Sequence, residues 1–381
     1  MTGVFDVIGS HEQVVFCNDP DSGLRAIIAV FTTGLGPSLG GTRWRPYPDS
    51  DAALADALAL SRAMAYKAAC AGLDIGGGKA VIIGDPAAVR PDLLATETLL
   101  RAFGRFVDSL GGRYITACDV GTYVSDMDLI ARESRWVTGR SLAHGGSGDS
   151  GVLTAFGVFQ GLRACAAHVW GEPSLAGRRV AVAGLGKVGR RLVGHLLTDG
   201  ATVLAGDVSS AAVDATRADY GDALTIVAEP DELLTAEVDV YSPNALGGVL
   251  TAAAAAAMPA RIVCGGANNQ LAEPAVADAL AGAGVLYAPD FVVNAGGLIQ
   301  LADEASGAGS GGPGGPGGPA GSGGYSEARA RAAVARIFDT TARVIGDAAA
   351  AGSTTEQAAE HFARRRMTAV GRLRGIRGPS L

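Results

Sequence analysis

The sequence predicts an α/β protein of two domains, the second of which is built on a doubly wound parallel sheet. The chain has 381 residues, which is more than one ordinary hydrophobic core organises. Hydrophobic residues make up 48% and charged residues 18%, a balance typical of a globular protein. After residue 178, short apolar stretches that end in glycine or asparagine alternate with helical stretches, as in an open parallel sheet.

The first domain is expected to span residues 1–145 and to mix strands with helices. The segment SDAALADALALSRAMAYKAACAG is a predicted helix that begins at Ser50, after capping residues, and stops before Gly72. Residues 34–48 are dense in turn-forming types, and glycines 76–78 are read as a loop. The other predicted elements are strands at 14–16, 25–31, 80–84 and 113–118, with Asp119 at the end of the last, and a helix over 91–110.

The second domain is expected over residues 146–335, followed by C-terminal helices over 336–381. Residues 141–150 form a polar, glycine-rich crossing that suits a hinge. The segment 307–324 is so rich in Gly and Pro that it is predicted to be a loop insertion rather than a packed element. Helices are predicted over 152–170, 326–352 and 354–377.

Composition argues against several classes of protein. The net charge of −7 disfavours a nucleic-acid partner, because phosphate binding needs a basic face. We find neither a signal peptide pattern nor an apolar run of about 20 residues, so a cytoplasmic protein without a membrane span is expected. The five cysteines are scattered and form no CxxC pair, which predicts reduced thiols and no metal site.

The clearest ligand signal is a glycine-rich turn between a predicted strand and a predicted helix. Gly184, Gly186 and Gly189 stand in GLGKVG, whose other residues are Leu185, Lys187 and Val188. Asp207 follows Gly184 by 23 residues, at the end of the next strand. This spacing predicts a dinucleotide site in a Rossmann-type domain. Asp207 would repel a 2′-phosphate and so favours NAD over NADP, although Arg190 and Arg191 weaken that preference.

Lysine is rare in this chain, which makes each lysine a candidate for chemistry. Lys67, Lys79 and Lys187 are the only lysines, and the other 28 basic residues are arginines. Lysine, unlike arginine, loses its proton when burial or a second cation lowers its pKa. If Lys67 and Lys79 converge, one is expected to anchor a charge and the other to act as a base. Asp119 is a candidate proton carrier, or alternatively a turn residue that caps its own backbone.

Seven segments together resemble the Glu/Leu/Phe/Val dehydrogenase superfamily, and most of all its branched-chain members, the valine dehydrogenases of actinobacteria. The resemblance covers nearly the whole chain, with no counterpart for the 307–324 insert. The segments are GPSLGGTR (36–43), MAYKAACAGLDIGGGKAVIIGDP (64–86), YITACDVGTYVSDMD (114–128), GDSGVLTAFGVFQG (148–161), GLGKVG (184–189), CGGANNQL (264–271) and YAPDFVVNAGG (287–297).

The resemblance implies oxidative deamination of an L-amino acid by NAD, giving a 2-oxo acid, ammonia and NADH. In that reaction Lys67 would hold the substrate carboxylate, Lys79 would activate water, and Asp119 would transfer protons. It also implies an N-terminal substrate and oligomerisation domain, a C-terminal Rossmann domain, a cleft between them, a final helix that returns to the first domain, and a homo-oligomer.

The resemblance assigns further contacts. Gly40 and Gly41 would lie beside the substrate, and Asn294 would contact the amino acid. Thr154 and Asn268 would lie at the nicotinamide. Leu39, Ala117 and Val293 stand at positions that could line the side-chain pocket, and all three are apolar, which favours an aliphatic substrate. The resemblance to valine dehydrogenases implies L-valine first.

Three alternatives stay open at the sequence level. Leucine or phenylalanine dehydrogenase would use the same mechanism, since these substrates differ by small apolar groups. A hydroxy-acid dehydrogenase would need a histidine with a carboxylate partner, and the five histidines lie outside the motifs. A non-catalytic nucleotide sensor would use GLGKVG but leaves Lys67, Lys79 and Asp119 unexplained.

Overall fold

The computed structural model describes residues 3–308 and 324–374, which divide into two compact units. Unit 1 comprises the described residues up to Asp149, those of Leu298–Ala330, and those from Ala363 onward. Unit 2 comprises Ser150–Gly297 and Arg331–Phe362. Most of the predicted Gly/Pro-rich insert, residues 309–323, lies outside the described residues.

Unit 1 is built on a mixed five-stranded sheet. Its strand order is β1-β2-β4-β3-β5, in which β3, β4 and β5 are parallel and β2 runs antiparallel to both β1 and β4. The strands are β1 Gln13–Asp19, β2 Leu24–Thr32, β3 Ser38–Arg45, β4 Gly76–Ile83 and β5 Tyr114–Cys118. The helices of its N-terminal part are α1 Val4–Ile8, α2 Ser50–Cys70, α3 Pro86–Val89, α4 Leu93–Ser109 and α5 Val124–Ile130.

Alternation along β2 shows how this sheet is covered on both faces. Ile27 packs with Ala53 and Ala57 of α2, whereas the next residue, Ile28, packs in the cluster that holds Phe103 of α4. Successive side chains of a strand point to opposite faces, so each helix covers one face. The result is a three-layer unit whose sheet is buried on both sides.

Capping signals place the two covering helices where the sequence predicts them. The Asp49 side chain accepts the Ala52 N–H at the start of α2, and the Asp92 side chain accepts the N–H groups of Leu94 and Ala95 at the start of α4. After α2, Gly72 has a φ of +72°, a left-handed conformation that suits glycine. The helix predicted from Ser50 is therefore confirmed.

Two predictions in unit 1 are wrong. The turn-rich segment 34–48 contains strand β3, and glycines 76–78 belong to β4 rather than to a loop. The glycines are there because neighbours come too close for a side chain. A Cβ at Gly77 would lie 2.3 Å from the Ala65 nitrogen of α2, and one at Gly78 would lie 2.7 Å from the Tyr114 ring.

Unit 2 holds a six-stranded parallel sheet in the order β11-β10-β9-β6-β7-β8. Its strands are β6 Arg179–Ala183, β7 Thr202–Gly206, β8 Leu224–Ile226, β9 Val240–Pro243, β10 Ile262–Val263 and β11 Leu286–Tyr287. From β6 the sheet continues through β7 to β8 on one side, and through β9 and β10 to β11 on the other side. This is the doubly wound order of a Rossmann-type domain, as predicted.

The helices of unit 2 follow the strands. They are α6 Gly151–Trp170, α7 Gly189–Thr198, α8 Ser210–Tyr220, α9 Ala252–Ala257, α10 Val276–Gly282, α11 Asp290–Val293 and α14 Ile337–Ala351. Helices α12 Gly296–Ala308, α13 Glu327–Ala335 and α15 Thr355–Arg374 each have residues in both units. The single helix predicted over 326–352 is thus two helices, α13 and α14, which meet at Arg336.

Helix α6 is a core helix of unit 2. It is long and apolar enough to cross a membrane by length and composition. At two of its glycines, however, neighbouring residues pack so closely that a side chain would clash. A Cβ at Gly157 would lie 2.8 Å from Ile337 of α14, and one at Gly161 would lie 2.4 Å from Val293. Its apolar surface is therefore explained by packing inside this unit.

The observed units and the expected domain boundaries differ in the C-terminal third. The first division, after Asp149, lies close to the expected one at 145. Leu298–Ala330 groups with unit 1 rather than with unit 2, and Leu298 packs there with Leu39 and Ile115. Residues 336–362 group with unit 2, and only the part from Ala363 onward groups with unit 1.

Candidate functional site

An ion pair in unit 1 joins a buried lysine to a half-buried aspartate. Lys79 is in β4 and is 4% exposed, and its Nζ lies 3.0 Å from Oδ1 of Asp119. Asp119 immediately follows β5, two strands away from β4 across β3. The structure therefore brings together the two residues that the sequence predicts to be catalytic.

The backbone around Asp119 is fixed by a threonine. The Asp119 N–H donates to Oγ1 of Thr122 at 2.9 Å, and the Thr122 hydroxyl donates to the Thr42 carbonyl of β3 at 2.7 Å. Both residues are thereby tied to β3. The alternative role of Asp119 as a residue that caps its own turn is not seen, because both carboxylate oxygens contact cations.

Arg43 is the second cation, and the sequence reasoning missed it. Its Nε donates to Oδ2 of Asp119 at 2.8 Å, and its Nη1 donates to Oδ2 of Asp56 at 3.0 Å. The signal that could have found it is its position in strand β3, two residues after Gly41. A Cβ at Gly41 would lie 2.8 Å from Cβ of Asp119, so that face of β3 looks toward the carboxylate.

These contacts shift the protonation of both members of the pair. Burial lowers the pKa of Lys79, the Asp119 carboxylate opposes this, and the Arg43 cation adds to the lowering. Burial alone would raise the pKa of Asp119, but the charges of Lys79 and Arg43 outweigh it and hold that pKa below its ordinary value. Arg43 is therefore a cation that depresses the pKa of Lys79, and a contribution of Lys67 stays a prediction.

Gly40 and Gly41 let three strands approach closely. A Cβ at Gly40 would lie 1.7 Å from the Gly78 carbonyl oxygen, and one at Gly41 would lie 2.4 Å from the Cys118 carbonyl oxygen. The Tyr114 hydroxyl donates to the Gly40 carbonyl at 2.7 Å. These glycines are required by the fold of the site, whether or not a substrate also lies beside them.

Lys67 lies in the last turn of α2 and is half-buried. Helix α2 crosses β4 where Gly77 meets Ser61 and Ala65, so Lys67 and Lys79 each stand two residues beyond that crossing. The end of α2 is also held by the last helix: Nη1 of Arg366 donates to the Leu73 carbonyl at 2.6 Å. Both predicted lysines thus belong to the same helix–strand crossing in unit 1.

The apolar candidates fall into two groups. Leu39 and Ala117 are both completely buried in unit 1, on the adjacent strands β3 and β5. Val293 is completely buried in unit 2, where its side chain packs at Gly161 of α6 and close to Cys264. The contribution of all three to a substrate pocket stays a prediction.

The glycine turn of unit 2 has the geometry of a dinucleotide-binding loop. It follows β6 and leads into α7, and a Cβ at Gly189 would lie 1.9 Å from the Gly184 carbonyl oxygen. Gly184 has a φ of +99°. Gly186 and Lys187 are exposed, and apart from its chain neighbours no atom of the described residues lies within 4 Å of a Cβ built on Gly186. Close backbone approach at a helix start is what a pyrophosphate site needs, so a role of this turn in binding one stays a prediction.

Asp207 stands beside this turn, after β7. Its Oδ2 accepts the Leu185 N–H at 2.6 Å and its Oδ1 accepts the Ser209 N–H at 2.8 Å. Val188 precedes the first residue of α7 and is half-buried. The predicted acid and the predicted glycine turn are therefore in direct contact within unit 2.

Two of the three polar candidates in unit 2, Asn268 and Asn294, are in direct contact. The Asn294 amide donates to Oδ1 of Asn268 at 3.0 Å, and no hydrogen-bond partner of Asn294 Oδ1 is found among the described residues. Thr154 lies in the first turn of α6, where its hydroxyl donates to the Ser150 carbonyl at 2.9 Å. The orphaned oxygen of Asn294 is a buried acceptor that a ligand N–H could satisfy.

Comparison with known proteins identifies the relatives of this chain. A family model described as the Glu/Leu/Phe/Val dehydrogenase dimerisation domain matches residues 11–136, and the model of the Glutamate/Leucine/Phenylalanine/Valine dehydrogenase matches residues 210–307. The chain belongs to this family. A valine dehydrogenase of Streptomyces virginiae is 53% identical over 361 residues, which cover 94% of each chain.

Other members of the family align over similar lengths. A leucine dehydrogenase of Bacillus cereus is 42% identical over 94% of this chain and 92% of that protein. Among solved structures, an L-tryptophan dehydrogenase from Nostoc punctiforme has a TM-score of 0.77 and 39% identity, and covers 95% of this chain and 97% of that one. This protein is therefore an amino acid dehydrogenase. Among the described residues, no group of three or more His, Cys, Asp or Glu side chains could hold a metal ion.

Proposed function

We propose that this protein catalyses the reversible, NAD-dependent oxidative deamination of an aliphatic branched-chain L-amino acid, with L-valine favoured. The amino acid, NAD⁺ and water give the 2-oxo acid, ammonium, NADH and a proton. The observation that carries the proposal is the ion pair between buried Lys79 and half-buried Asp119, in which Nζ lies 3.0 Å from Oδ1. Leucine or phenylalanine dehydrogenase activity by the same mechanism is the alternative.

Lys79 is the proposed base of the reaction. Deprotonated Lys79 would take a proton from the water that attacks the imino acid. The new C–O bond would form as that proton moves to Nζ and the π electron pair of the C=N bond moves to the substrate nitrogen. Its low exposure and the neighbouring Arg43 cation both lower its pKa, which makes the neutral amine accessible at a lower pH than for a lysine in water. Asp119, 3.0 Å away, is the proposed carrier that takes a proton from Lys79 or returns one to it.

Lys67 is the proposed partner of the substrate carboxylate. A lysine ammonium is a compact point charge, and the last turns of α2 hold it at the helix–strand crossing that also carries Lys79. We propose that Asn294 also contacts the amino acid, since its buried Oδ1 can accept an N–H. Gly40 and Gly41 would lie beside the substrate.

NAD is the proposed cofactor, and bound NAD⁺ would accept the hydride from the substrate α-carbon. Gly184, Leu185, Gly186, Lys187, Val188 and Gly189 form the turn that would hold its pyrophosphate. Asp207 would accept hydrogen bonds from the ribose hydroxyls and would repel the extra phosphate of NADP. Thr154 and Asn268 are proposed to contact the nicotinamide.

The proposed substrate is aliphatic because the candidate lining residues of unit 1 are apolar. Leu39 and Ala117 are fully buried and carry no polar atom on their side chains. A glutamate side chain would require a cation in their place. A difference of one methylene is worth only about 1–3 kcal/mol, so the choice among valine, leucine and isoleucine is a matter for measurement.

The test is NADH formation at alkaline pH with L-valine, L-leucine, L-isoleucine, L-phenylalanine and L-glutamate, each with NAD⁺ and with NADP⁺. Turnover with the branched-chain acids and NAD⁺ supports the proposal. A preference for phenylalanine would keep the mechanism and change the pocket assignment. NADH binding without turnover of any amino acid would overturn the roles of Lys67, Lys79 and Asp119.

We further propose that the protein acts in the cytoplasm as a homo-oligomer whose partners are small molecules, without nucleic acid or membrane. The family model that matches residues 11–136 is described as a dimerisation domain, which supports an assembly. Light scattering of the purified protein tests this: a monomer at micromolar concentration would contradict it.

A further inference from the structure

A chain of alternating charges continues from the Lys79–Asp119 pair into β3 and α2. Asp119 divides its two oxygens between Lys79 and Arg43, and Arg43 reaches Asp56 of α2 at 3.0 Å through its other nitrogen. The Tyr47 hydroxyl donates to Oδ2 of Asp56 at 2.6 Å. The order is therefore cation, anion, cation, anion, closed by a neutral donor.

Different elements supply each member of this chain of charges. Lys79 comes from β4, Asp119 follows β5, Arg43 comes from β3, and Asp56 comes from α2. The side chains of Arg43, Asp119 and Asp56 are 19%, 21% and 25% exposed, so water screens their charges only in part. No turn or cap requires this arrangement, since the Asp56 carboxylate contacts side chains of β3 and of Tyr47 rather than backbone of its own helix.

We propose that Arg43 and Asp56 are positioning residues that set the protonation of the Lys79–Asp119 pair, and that they act with opposite sign. The Arg43 cation favours the carboxylate form of Asp119 and the neutral form of Lys79. Asp56 neutralises part of that cation and orients its planar fork, so it weakens both effects. This inference rests on the proposed function, because it assigns Lys79 as the base whose protonation limits the rate.

The directions in which these charges shift the pKa of Lys79 agree with the geometry. Burial lowers the pKa of Lys79 and the Asp119 carboxylate raises it. Arg43 then lowers that pKa and Asp56 raises it. Burial, followed by the hydrogen bond to Asp56, raises the pKa of the Tyr47 phenol, which therefore stays a donor to that carboxylate. Other ionisable groups on the neighbouring elements include Arg25 of β2, Arg45 of β3, Tyr114 of β5 and Asp126 of α5, together with Arg90, which follows α3. Helix α2 adds Asp51, Arg62, Tyr66 and Lys67.

The experiment measures kcat/KM for the amino acid against pH in the full-length enzyme and two variants. In the wild type, kcat/KM is expected to rise with pH as Lys79 loses its proton. Arg43→Gln removes the cation, so Lys79 holds its proton more strongly and the rising limb moves up by about 0.5–1 pH unit. Asp56→Asn removes the opposing anion, so the limb moves down by about 0.3–1 pH unit.

Matched variants separate this effect from a general loss of structure. Arg25→Gln in β2 and Asp51→Asn in α2 change exposed charges on neighbouring elements and are expected to leave the limb in place. Arg43→Lys keeps the cation and is expected to return the limb to within about 0.3 pH unit of the wild type, even if kcat falls. If Arg43→Gln does not fold, Asp56→Asn and Arg43→Lys still give the required directions.

The outcomes distinguish this inference from the proposed function. Opposite shifts in Arg43→Gln and Asp56→Asn support it. Shifts in the same direction, or lower kcat with an unmoved limb, overturn it and leave Arg43 and Asp56 as structural residues of an active enzyme. A wild type that deaminates no amino acid overturns the proposed function itself, before any variant is compared.

Discussion

Replacement of Lys79 by methionine tests the proposed chemistry most directly. Methionine keeps most of the aliphatic stem and removes only the ammonium, so little cavity forms in a site that is 4% exposed. Asp119 loses the partner at 3.0 Å but keeps Arg43 at 2.8 Å, so its charge is still compensated. The fold is therefore expected to survive with a loss of about 1–3 kcal/mol in the free energy of unfolding.

The expected loss of activity is far larger than the loss of stability. A positioned general base contributes about 10²–10⁴ to the rate, and Lys79 sits at the buried end of its pair, where water replaces it poorly. We expect kcat/KM to fall about 10³–10⁴-fold, which corresponds to about 4–5.5 kcal/mol of transition-state stabilisation. The proposed cofactor residues all belong to unit 2, so NADH binding should stay within about twofold of the wild type.

The assay combines steady-state NADH formation, NADH fluorescence titration and thermal unfolding on the same preparations. Arg25→Met, which removes an exposed cation from β2, serves as the control and should lose neither activity nor NADH binding. Turnover of Lys79→Met within about tenfold of the wild type, in a folded protein, would refute the role of Lys79 as base.

Three further variants test other parts of the structure. Gly77→Ala places a Cβ 2.3 Å from the Ala65 nitrogen, so it should lower the unfolding free energy by about 1–3 kcal/mol and raise the amino acid KM. Gly346→Ala, in open space on α14, is the control and should be neutral or stabilising by up to about 1 kcal/mol. Equal effects of the two variants in urea unfolding would contradict the packing argument. Asp207→Ser should lower the ratio of NAD⁺ to NADP⁺ in kcat/KM at least about tenfold, and an unchanged ratio would remove Asp207 from ribose recognition. The pKa of Glu356 is raised to about 8, first by burial and then by the charges of Asp290 and Glu360. The folded state therefore binds a proton that the unfolded state releases, and the free energy of unfolding falls as pH rises from about 4.5 through 8. Glu356→Gln should therefore raise the unfolding free energy by about 1–3 kcal/mol at pH 8.5 and little at pH 5 in matched thermal melts; a gain of the same size at both pH values would mean that charge is not the cause.

The sequence predicted those elements whose signals are local. The Asp49 cap and Gly72 define α2, and the apolar runs with glycine turns define β6, α7 and β7. These features depend on residues that are neighbours in the chain. Strand β3 and the first half of β4 were missed because their glycines reflect tertiary contacts. Gly40 and Gly41 lie against Gly78 and Cys118 of the adjacent strands, whereas the glycines of β4 lie against α2 and Tyr114.

The same distinction explains which parts of the site were found. Lys79 and Asp119 were recognised because lysine is rare and because Asp119 ends a strand. Arg43 was missed because the chain holds 28 arginines, so its residue type carries no signal. Its partners stand 76 and 13 residues away, and only the pairing of β3 with β5 and the packing of α2 bring them together.

The discontinuous composition of unit 1 has a consequence for its biosynthesis. Its sheet and α2 lie within the first 118 residues, but Arg366, which binds the Leu73 carbonyl after α2, follows 293 residues later. At about 5–20 residues per second, a ribosome delivers this arginine about 15–60 seconds after the helix end that it holds. A nascent chain can therefore build the sheet early, while the end of α2 that carries Lys67 receives its last support only when synthesis is nearly complete.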